Sequence, residues 1–386
     1  MMKNLNLGEL FFAHKEDTIY HRYITNSHIE PLLKNLSLEF SVEIIGSSVN
    51  ALSIYGVKIG TGPKKVLMWS QMHGNESTTT KALFDIFNCL KAGKLNAFLK
   101  SCTFYFIPIL NPDGAFVYTR VNANNIDLNR DAQDLTQPES VVLRQVFENF
   151  KPDFCFNLHG QRTIFSAGEN KNSASLSFLA PAQDEKCTIT NNRKKAMNVI
   201  GAINTKLQLQ IPGQIGIYDD AFNINCVGDT FQSKNVPTVL FEAGHHTDDY
   251  AREEVRKLIF MSIIVALNEI VYNDDLGRNY ESYLKIPENK KLFYDIIIRD
   301  AKIIVNQEES ILDIAVQFEE VLREDRVYFE PKIKNFGDLS QYHGHKIINA
   351  NKKATQVADN IKLEIGNSID FVMINNKLFS LNSVNN

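Results

Sequence analysis

Apolar runs and helical periodicities alternate along the first 275 or so residues of the chain. Short continuous apolar runs predict buried strands, whereas apolar residues spaced by three and four predict helices that bury one face. The strands are predicted at 66–69, 104–110, 154–158 and 238–241, and the helices at 82–90, from Pro138 onwards, at 192–207 and at 250–272. This alternation predicts an α/β fold with helices on both faces of a sheet.

The pattern changes after about residue 275, where runs rich in β-branched residues take over. Examples are FYDIIIRDAKIIV at 293–305 and IDFVMINNKLFSL at 369–381. The pair Asn375 and Asn376 in the second run favours a tight hairpin turn. We therefore expect two domains, a larger α/β domain over 1–280 and a small β-rich domain over 285–386.

Charge and composition exclude several classes of partner. The chain has 386 residues, and its 41 lysines and arginines against 45 acids give a net charge of −4. This balance favours neither nucleic acid nor an anionic membrane as a partner. The longest apolar run, 260–267, is too short to span a bilayer.

The N-terminal stretch and the cysteines indicate a compartment. Residues 1–17 lack the pattern of a signal peptide. The five cysteines are scattered and form no C-x-x-C pair, as is typical of a reducing compartment. The sequence therefore predicts a cytoplasmic protein, and it leaves the oligomeric state open.

Polar side chains follow the predicted strands at the point where each strand ends. Ligands of open α/β sheets bind beyond the carboxyl ends of the strands, so these side chains are candidates for a common site. The candidates are His73 and Glu76 after the first strand, His159 after the third and Glu242 after the fourth. The second strand is followed by N-P-D-G at 111–114, which predicts a turn.

Two histidines and one carboxylate form a common ligand set for catalytic zinc, which keeps one position open for water. Each signal has a simpler explanation, since H-x-x-E pairs are frequent and a histidine at a strand end is often only hydrogen bonded. A buried Glu242 could equally pair with an arginine. The placement of all four residues at strand ends favours a zinc site in which Glu242 accepts a proton from water.

The polar segment TRVNANNIDLNRDA at 119–132 supplies further candidates, namely Arg120, Asp127, Asn129 and Arg130. A segment of this polarity is either a solvated loop or part of a site. In a site, the guanidinium groups would bind a carboxylate through paired hydrogen bonds and stabilise an oxyanion.

Five short motifs occur in one order over about residues 45–270. They are H-G-N-E, N-P-D-G, R-x-N-A-N-x-I-D-L-N-R, N-L-H-G and F-E-A-G. With them the chain resembles the zinc carboxypeptidase family, which includes carboxypeptidase A and bacterial murein peptide amidases. The resemblance implies a mixed central sheet and one zinc ion (Zn²⁺) per chain, bound by His73, Glu76 and His159.

The resemblance also implies roles around the metal. Glu242 would be the general base, and Arg120 would polarise the scissile carbonyl. Asn129 and Arg130 would bind the free C-terminal carboxylate of the substrate. The expected function is that of a zinc metallocarboxypeptidase that hydrolyses an amide bond next to such a carboxylate.

Two further residues take positions implied by the family. Asp127 would orient His73 from outside the ligand set, because such a partner fixes the imidazole tautomer. Tyr218 corresponds best to a mobile tyrosine that closes over substrate, and a tyrosine packed in a loop is an equal alternative. Gly228 and Asp229 lie where the family forms the wall of its side-chain pocket, and they do not reveal the specificity.

Two other functions remain open. The H-G-N-E form, the D-L-N-R segment and the β-rich C-terminal part are shared with succinylglutamate desuccinylases and aspartoacylases, which hydrolyse N-acyl amino acids. The substrate is thus expected to be either a small peptide or an N-acyl amino acid. A descendant without activity that binds peptides and holds no zinc is the alternative from a different class.

Overall fold

A computed structural model describes residues 6–36, 38–305, 308–357, 363–382 and 384. The chain forms two compact units. The first comprises Met1–Gln161 and Ala174–Asn289, and the second comprises Arg162–Ser173 and Lys290–Asn386. The sequence pattern contains no sign that residues 162–173 leave the first unit. The domain bounds of 1–280 and 285–386 stay a prediction, and the first five residues of the N-terminal stretch lie outside the described residues.

Helices and strands alternate along the first unit, as the apolar pattern predicts. The described helices are α1 Leu7–His14, α2 Asn26–Lys34, α3 Thr78–Lys91, α4 Asn96–Ser101, α5 Pro112–Val117, α6 Pro138–Phe150, α7 Asn191–Leu207, α8 Val227–Ser233 and α9 Glu253–Tyr272, with 3₁₀ turns at Leu128–Arg130 and Tyr280–Lys285. None of these helices is both long enough and apolar enough to cross a lipid bilayer.

The described strands divide between the two units. In chain order they are β1 Ser41–Ser47, β2 Ser53–Ile59, β3 Lys64–Ser70, β4 Cys102–Ile107, β5 Phe154–Gly160, β6 Ser166–Ala167, β7 Leu176–Leu179, β8 Ile215–Ile217, β9 Thr238–Ala243, β10 Asn289–Lys290, β11 Phe293–Val305, β12 Glu308–Arg323, β13 Arg326–Gly337, β14 His343–Asn349, β15 Thr355–Val357, β16 Phe371–Ile374 and β17 Lys377–Ser380.

The central sheet of the first unit has eight strands in the order β1-β2-β4-β3-β5-β9-β7-β8. Its middle, β4-β3-β5-β9, is parallel. Antiparallel pairs flank the middle on both sides, β2 against β4 and β7 against β9. The sheet is therefore mixed, and the expected fold class is confirmed.

Alternate residues of β3 bury into two different cores, because successive side chains of a strand point to opposite faces. Val66 and Met68 belong to the cluster that contains the apolar faces of α3, α7 and α9. Leu67 and Trp69 belong to the cluster that contains those of α6 and α8. Helices thus cover both faces, which explains why the sequence of this strand is a continuous apolar run rather than an alternation.

The N-P-D-G motif begins a helix, so the predicted turn is wrong. Strand β4 ends at Ile107, and α5 starts at Pro112 with Asn111 as its N-cap. The Asn111 side chain accepts a hydrogen bond from the N–H of Gly114 at 2.9 Å. Asparagine is a preferred N-cap, and proline suits the first helical position because its missing N–H would have no partner there. Both residues also suit turns, so the motif alone did not distinguish the two.

The second unit is β-rich, as expected. It contains a four-stranded sheet in the order β13-β12-β11-β14 and a three-stranded sheet in the order β15-β16-β17. The predicted hairpin is confirmed, since Ile374 of β16 pairs with Lys377 of β17. Asn375 and Asn376 between them have φ values of 49° and 62°. Asparagine tolerates this left-handed conformation better than most residues do.

Candidate metal centre and active site

Two histidines and one glutamate converge at the carboxyl ends of β3 and β5. The Nδ1 atoms of His73 and His159 lie 3.1 Å apart. Glu76 bridges them, with Oε1 at 2.9 Å from Nδ1 of His73 and Oε2 at 3.0 Å from Nδ1 of His159. Both imidazoles are buried. His159 thus meets, across 83 to 86 positions of sequence, two residues that are three positions apart, and the three side chains direct donor atoms at one point.

The donor atoms of this cluster fit a zinc ion. Zinc ligands at about 2.0–2.1 Å in a tetrahedral arrangement lie about 3.4 Å from one another. The ligand atoms of His73, Glu76 and His159 all lie within 4.8 Å of one another, and their closest separations are 2.9–3.1 Å. Two imidazole nitrogens and a carboxylate are also the donor types that zinc prefers.

Burial and charge act against each other within the cluster. Burial alone would lower the pKa of His73, but the carboxylates of Glu76 and Asp127 outweigh it and raise that pKa. Burial lowers the pKa of His159, which Glu76 only partly offsets. Burial would raise the pKa of Glu76, but the two histidines overcome it and lower that pKa. A carboxylate that stays ionised between two histidines is a ready cation ligand.

The turn that carries His73 and Glu76 is fixed by its neighbours. The N–H of Gly160, the residue after His159, donates to Oε2 of Glu76 at 2.9 Å. Gly74 lies directly against the backbone of Gly114, so a Cβ atom at Gly74 would collide with it. Position 74 therefore requires glycine, because a residue without a side chain lets the two backbones approach this closely. A Cβ atom at Gly114 would instead collide with the Asn111 side chain and the main-chain oxygen of Val121.

Replacement of Gly74 by alanine is expected to lower the free energy of unfolding by about 2 kcal/mol or more, because the added methyl group must displace main chain. Urea unfolding monitored by circular dichroism measures the free energy of unfolding. Gly8→Ala is the matched control, since a Cβ there meets only the Asn6 side chain, at 3.4 Å. Equal stabilities of the two variants would contradict the proposed close packing.

Asp127 and Arg120 flank the cluster on the side of His73. Oδ1 of Asp127 lies 3.0 Å from Nε2 of His73. When Nε2 carries the proton, the lone pair of Nδ1 faces the cluster. Arg120 donates from Nε and Nη2 to Oδ2 of Asp127 at 3.1 and 2.9 Å, and its Nη1 lies 3.6 Å from Glu76. The Arg120 side chain is 48% exposed, so it is accessible to a substrate.

Glu242 lies beside His159 in the parallel pair of β5 and β9, where the two residues are direct partners. On the other side, β9 pairs with the antiparallel β7, and Glu242 is opposite Ser177. Oε2 of Glu242 is buried and receives no hydrogen bond from the described residues. Burial, together with the charge of Glu76, raises the pKa of Glu242 well above its usual value. Such a carboxylate is a stronger base than one in water.

The D-L-N-R segment ends beside α8. Oδ1 of Asn129 accepts a hydrogen bond from the N–H of Val227 at 3.1 Å. Arg130 is exposed, and its Nη1 donates to the main-chain oxygen of Asn129 at 2.8 Å. Among the described residues no carboxylate pairs with Arg130, so most of its hydrogen-bond donors remain available.

Tyr218 follows β8 and reaches the same end of the sheet. Its hydroxyl group donates to Oε1 of Gln161 at 2.7 Å, and Gln161 is the second residue after His159. Burial and then the charges of Glu242 and Glu76 raise the pKa of this phenol above its usual value. The phenol therefore lies within electrostatic reach of both carboxylates and stays protonated as a donor.

Arg252 also lies at this end of the sheet and belongs to none of the five sequence motifs. Arg252 lies in the polar stretch that precedes α9, and its guanidinium group binds main-chain oxygens next to the cluster. Hydrogen bonds from a guanidinium group to main-chain oxygens leave no trace in a motif, since those oxygens can belong to any residue type.

The α/β fold and the two-histidine, one-carboxylate cluster define a candidate metalloenzyme. Comparison with known proteins points to a family: residues 27–208 match the model of the zinc carboxypeptidase family (Peptidase_M14). The matched range contains seven of the nine candidate residues, and Tyr218 and Glu242 lie beyond it.

The chain is also similar to a curated relative and to solved structures. Carboxypeptidase SOL1 of Arabidopsis thaliana is 26% identical over 178 residues, which cover 39% of this chain and 36% of that protein. The chain thus spans about a third of that relative's length. Carboxypeptidase A of Helicoverpa armigera superposes with a TM-score of 0.53 at 15% identity, over 69% of this chain and 80% of that one. A metallo-carboxypeptidase of Burkholderia cenocepacia gives 0.51 at 16% identity, over 64% and 69%. At these identities the solved structures establish the fold alone.

Proposed function

We propose that the protein is a zinc metallocarboxypeptidase that hydrolyses the amide bond next to a free C-terminal carboxylate. The observation that carries the proposal is the convergence of His73, Glu76 and His159, with Glu242 paired beside His159 on the adjacent strand. His73, Glu76 and His159 would hold one zinc ion. Zinc bound there would supply a Lewis acid that polarises a carbonyl group and lowers the pKa of a water molecule.

Glu242 would move the proton during hydrolysis. Its buried Oε2 has no hydrogen-bond donor among the described residues, which leaves it available to accept a proton from the attacking water. The same carboxylic acid would then pass the proton to the leaving amine. Arg120 would hold the carbonyl oxygen as it gains negative charge, because its side chain is half exposed beside the cluster.

Arg130, Asn129 and Tyr218 would bind the substrate. A guanidinium group matches a carboxylate with two parallel hydrogen bonds, and Arg130 is exposed without an acidic partner in the described chain. Asn129 would support it from the same turn. Tyr218 would close over the peptide once its hydroxyl group leaves Gln161. A small peptide that ends in a free carboxylate is therefore the proposed substrate.

Hydrolysis of a small substrate panel by the zinc-loaded protein tests this function. The panel holds dipeptides, tripeptides, a γ-glutamyl peptide, and N-acetyl and N-succinyl amino acids, each with a free and a blocked C-terminus. Release of the C-terminal residue only from free peptides, with roughly one zinc bound per chain, supports the proposal. Turnover confined to N-acyl amino acids would instead assign the desuccinylase type of activity. A zinc-free protein that binds peptides without cleaving them would assign the binding module.

Asp127→Asn is expected to weaken zinc binding by about tenfold or more, because the neutral amide orients and polarises His73 less strongly than the carboxylate does. Competition with a chelator of known zinc affinity measures the change. Asp153→Asn is the matched control, since Asp153 accepts a hydrogen bond from the N–H of Lys65 at the opposite end of β5. Unchanged zinc affinity in Asp127→Asn would show that Asp127 does not support the ligand.

A further inference from the structure

Arg252 is a buried cation between the ends of the two strands that carry His159 and Glu242. Its Nη1 donates to the main-chain oxygen of Ala243 at 2.8 Å, and its Nη2 donates to that of Gln161 at 2.9 Å. Its side chain is 2% exposed. The planar guanidinium group thus joins Ala243, the residue after Glu242, to Gln161, the second residue after His159.

The guanidinium group extends the hydrogen bonding of β5 and β9 beyond their last pair. The pairs at this end are His159 with Glu242 and Gly160 with Ala243. The N–H of Gln161 still donates to Ala243 at 2.9 Å. Gly160 with Ala243 is the last pair of β5 and β9 among the described residues, and the fork of Arg252 binds both segments just beyond it. Because the guanidinium group is rigid and planar, it fixes the distance between the two oxygens that it binds.

The backbone at Arg252 is held in an uncommon conformation. Its φ of 59° lies in the left-handed region at the N-cap of α9. The carboxylate of Asp249 accepts hydrogen bonds from the N–H groups of Glu253 and Val255 at 2.8 and 2.9 Å. The N–H of Arg252 donates to the Asp249 main chain at 3.1 Å. A residue other than glycine keeps this conformation only when its surroundings impose it, and such residues concentrate at functional sites.

We propose that Arg252 is a positioning residue, whose guanidinium group locks the ends of β5 and β9 and so fixes Glu242 relative to His159. The proposal rests on the proposed function in so far as Glu242 acts as the base. Gly160 bonds to Glu76 on the other side. The segment after His159 is therefore held from two directions. A shift of about 1 Å between catalytic groups lowers turnover by up to 100-fold, so a positioning residue can control the rate without touching substrate.

Arg252→Lys tests the proposal, because lysine keeps the charge but has a single ammonium group that cannot reproduce the fork. We expect kcat per bound zinc to fall by about 10- to 100-fold. KM should change less than about twofold, since Arg130 and Asn129 lie on another element. Hydrogen exchange at the Gln161 amide should accelerate, because the bond from Gln161 to Ala243 is then no longer supported.

Arg256→Lys is the matched control, in the helix α9 that Arg252 precedes. Arg256 is fully buried and donates to the main-chain oxygens of Glu16 and Ile19 at 2.7 and 2.9 Å, as well as to Asp85. This variant should lower Tm without changing kcat per zinc or exchange at Gln161. If Arg252→Lys behaves in the same way, Arg252 only stabilises the fold and the proposal is overturned.

The exchange measurement separates this proposal from the proposed function. If the unaltered protein cleaves none of the substrates, the proposed function fails, and faster exchange at Gln161 in Arg252→Lys still supports the lock. If exchange at Gln161 is the same in Arg252→Lys as in the unaltered protein, the proposed lock is overturned. If Arg252→Lys does not fold, hydrogen exchange is measured in the unaltered protein instead. Exchange at the Gln161 amide as slow as that of Leu158 inside β5 supports the lock. Exchange as fast as that of a frayed strand end overturns it.

Discussion

Glu242→Gln is expected to lower kcat by about 1,000-fold while the protein still binds one zinc ion. Glutamine has the size and shape of glutamate, but its amide group cannot accept the proton of the attacking water. The three proposed zinc ligands, His73, Glu76 and His159, are other residues, so metal content should not change. Steady-state kinetics on the best substrate of the panel, combined with metal analysis of the same preparation, measures both quantities.

Glu148→Gln provides the control for this variant. Glu148 is 57% exposed on α6 and forms only a weak pair with Arg144 at 3.7 Å. Its replacement should leave kcat and zinc content unchanged. A fall in kcat of less than about tenfold in Glu242→Gln would mean that another group accepts the proton, and Glu242 would lose the general-base role.

Arg130→Ala is expected to raise KM for free peptides by about 10- to 100-fold, the equivalent of roughly 1.5–3 kcal/mol for hydrogen bonds between charged groups. The effect should disappear when the C-terminus of the substrate is amidated, because no carboxylate is then left to bind. Kinetics on paired free and amidated peptides measures the difference, which isolates the charge pair from any general loss of fit.

Arg278→Ala is a suitable control, since Arg278 is 79% exposed and, among the described residues, forms an ion pair with Asp275 alone, in its own turn. Its loss should not change KM for either peptide. If Arg130→Ala weakened the binding of free and amidated peptides equally, Arg130 would support the shape of the pocket rather than bind the carboxylate.

The sequence predicted the layers of the first unit and the candidate residues because these depend on local pattern. The apolar run at 66–69 lies within β3, and the helix predicted at 192–207 is α7 within one residue. The same pattern placed polar side chains after the strand ends. Proximity of His73, Glu76 and His159 followed from their position at one edge of a sheet. The roles of these residues remain predictions until the variants are measured.

Other features could not be predicted, since they depend on partners that are distant in sequence. The N-P-D-G motif suits both a turn and a helix start, and the packing of Gly74 against Gly114 requires the helix. The antiparallel strand β7 next to β9 has only four residues, which is too short for a clear period. Residues 162–173 join the second unit without any change in composition that would mark the crossing.

By itself the sequence determined which side chains this protein offers for chemistry and roughly where its strands end, because residue type and periodicity are local properties. Only the tertiary structure decided the strand order that puts Glu242 next to His159, and the course of the chain that returns Arg252 to the same two strands. Strand order and backbone-directed hydrogen bonds arise from contacts between distant segments, and main-chain oxygens are the same at every residue.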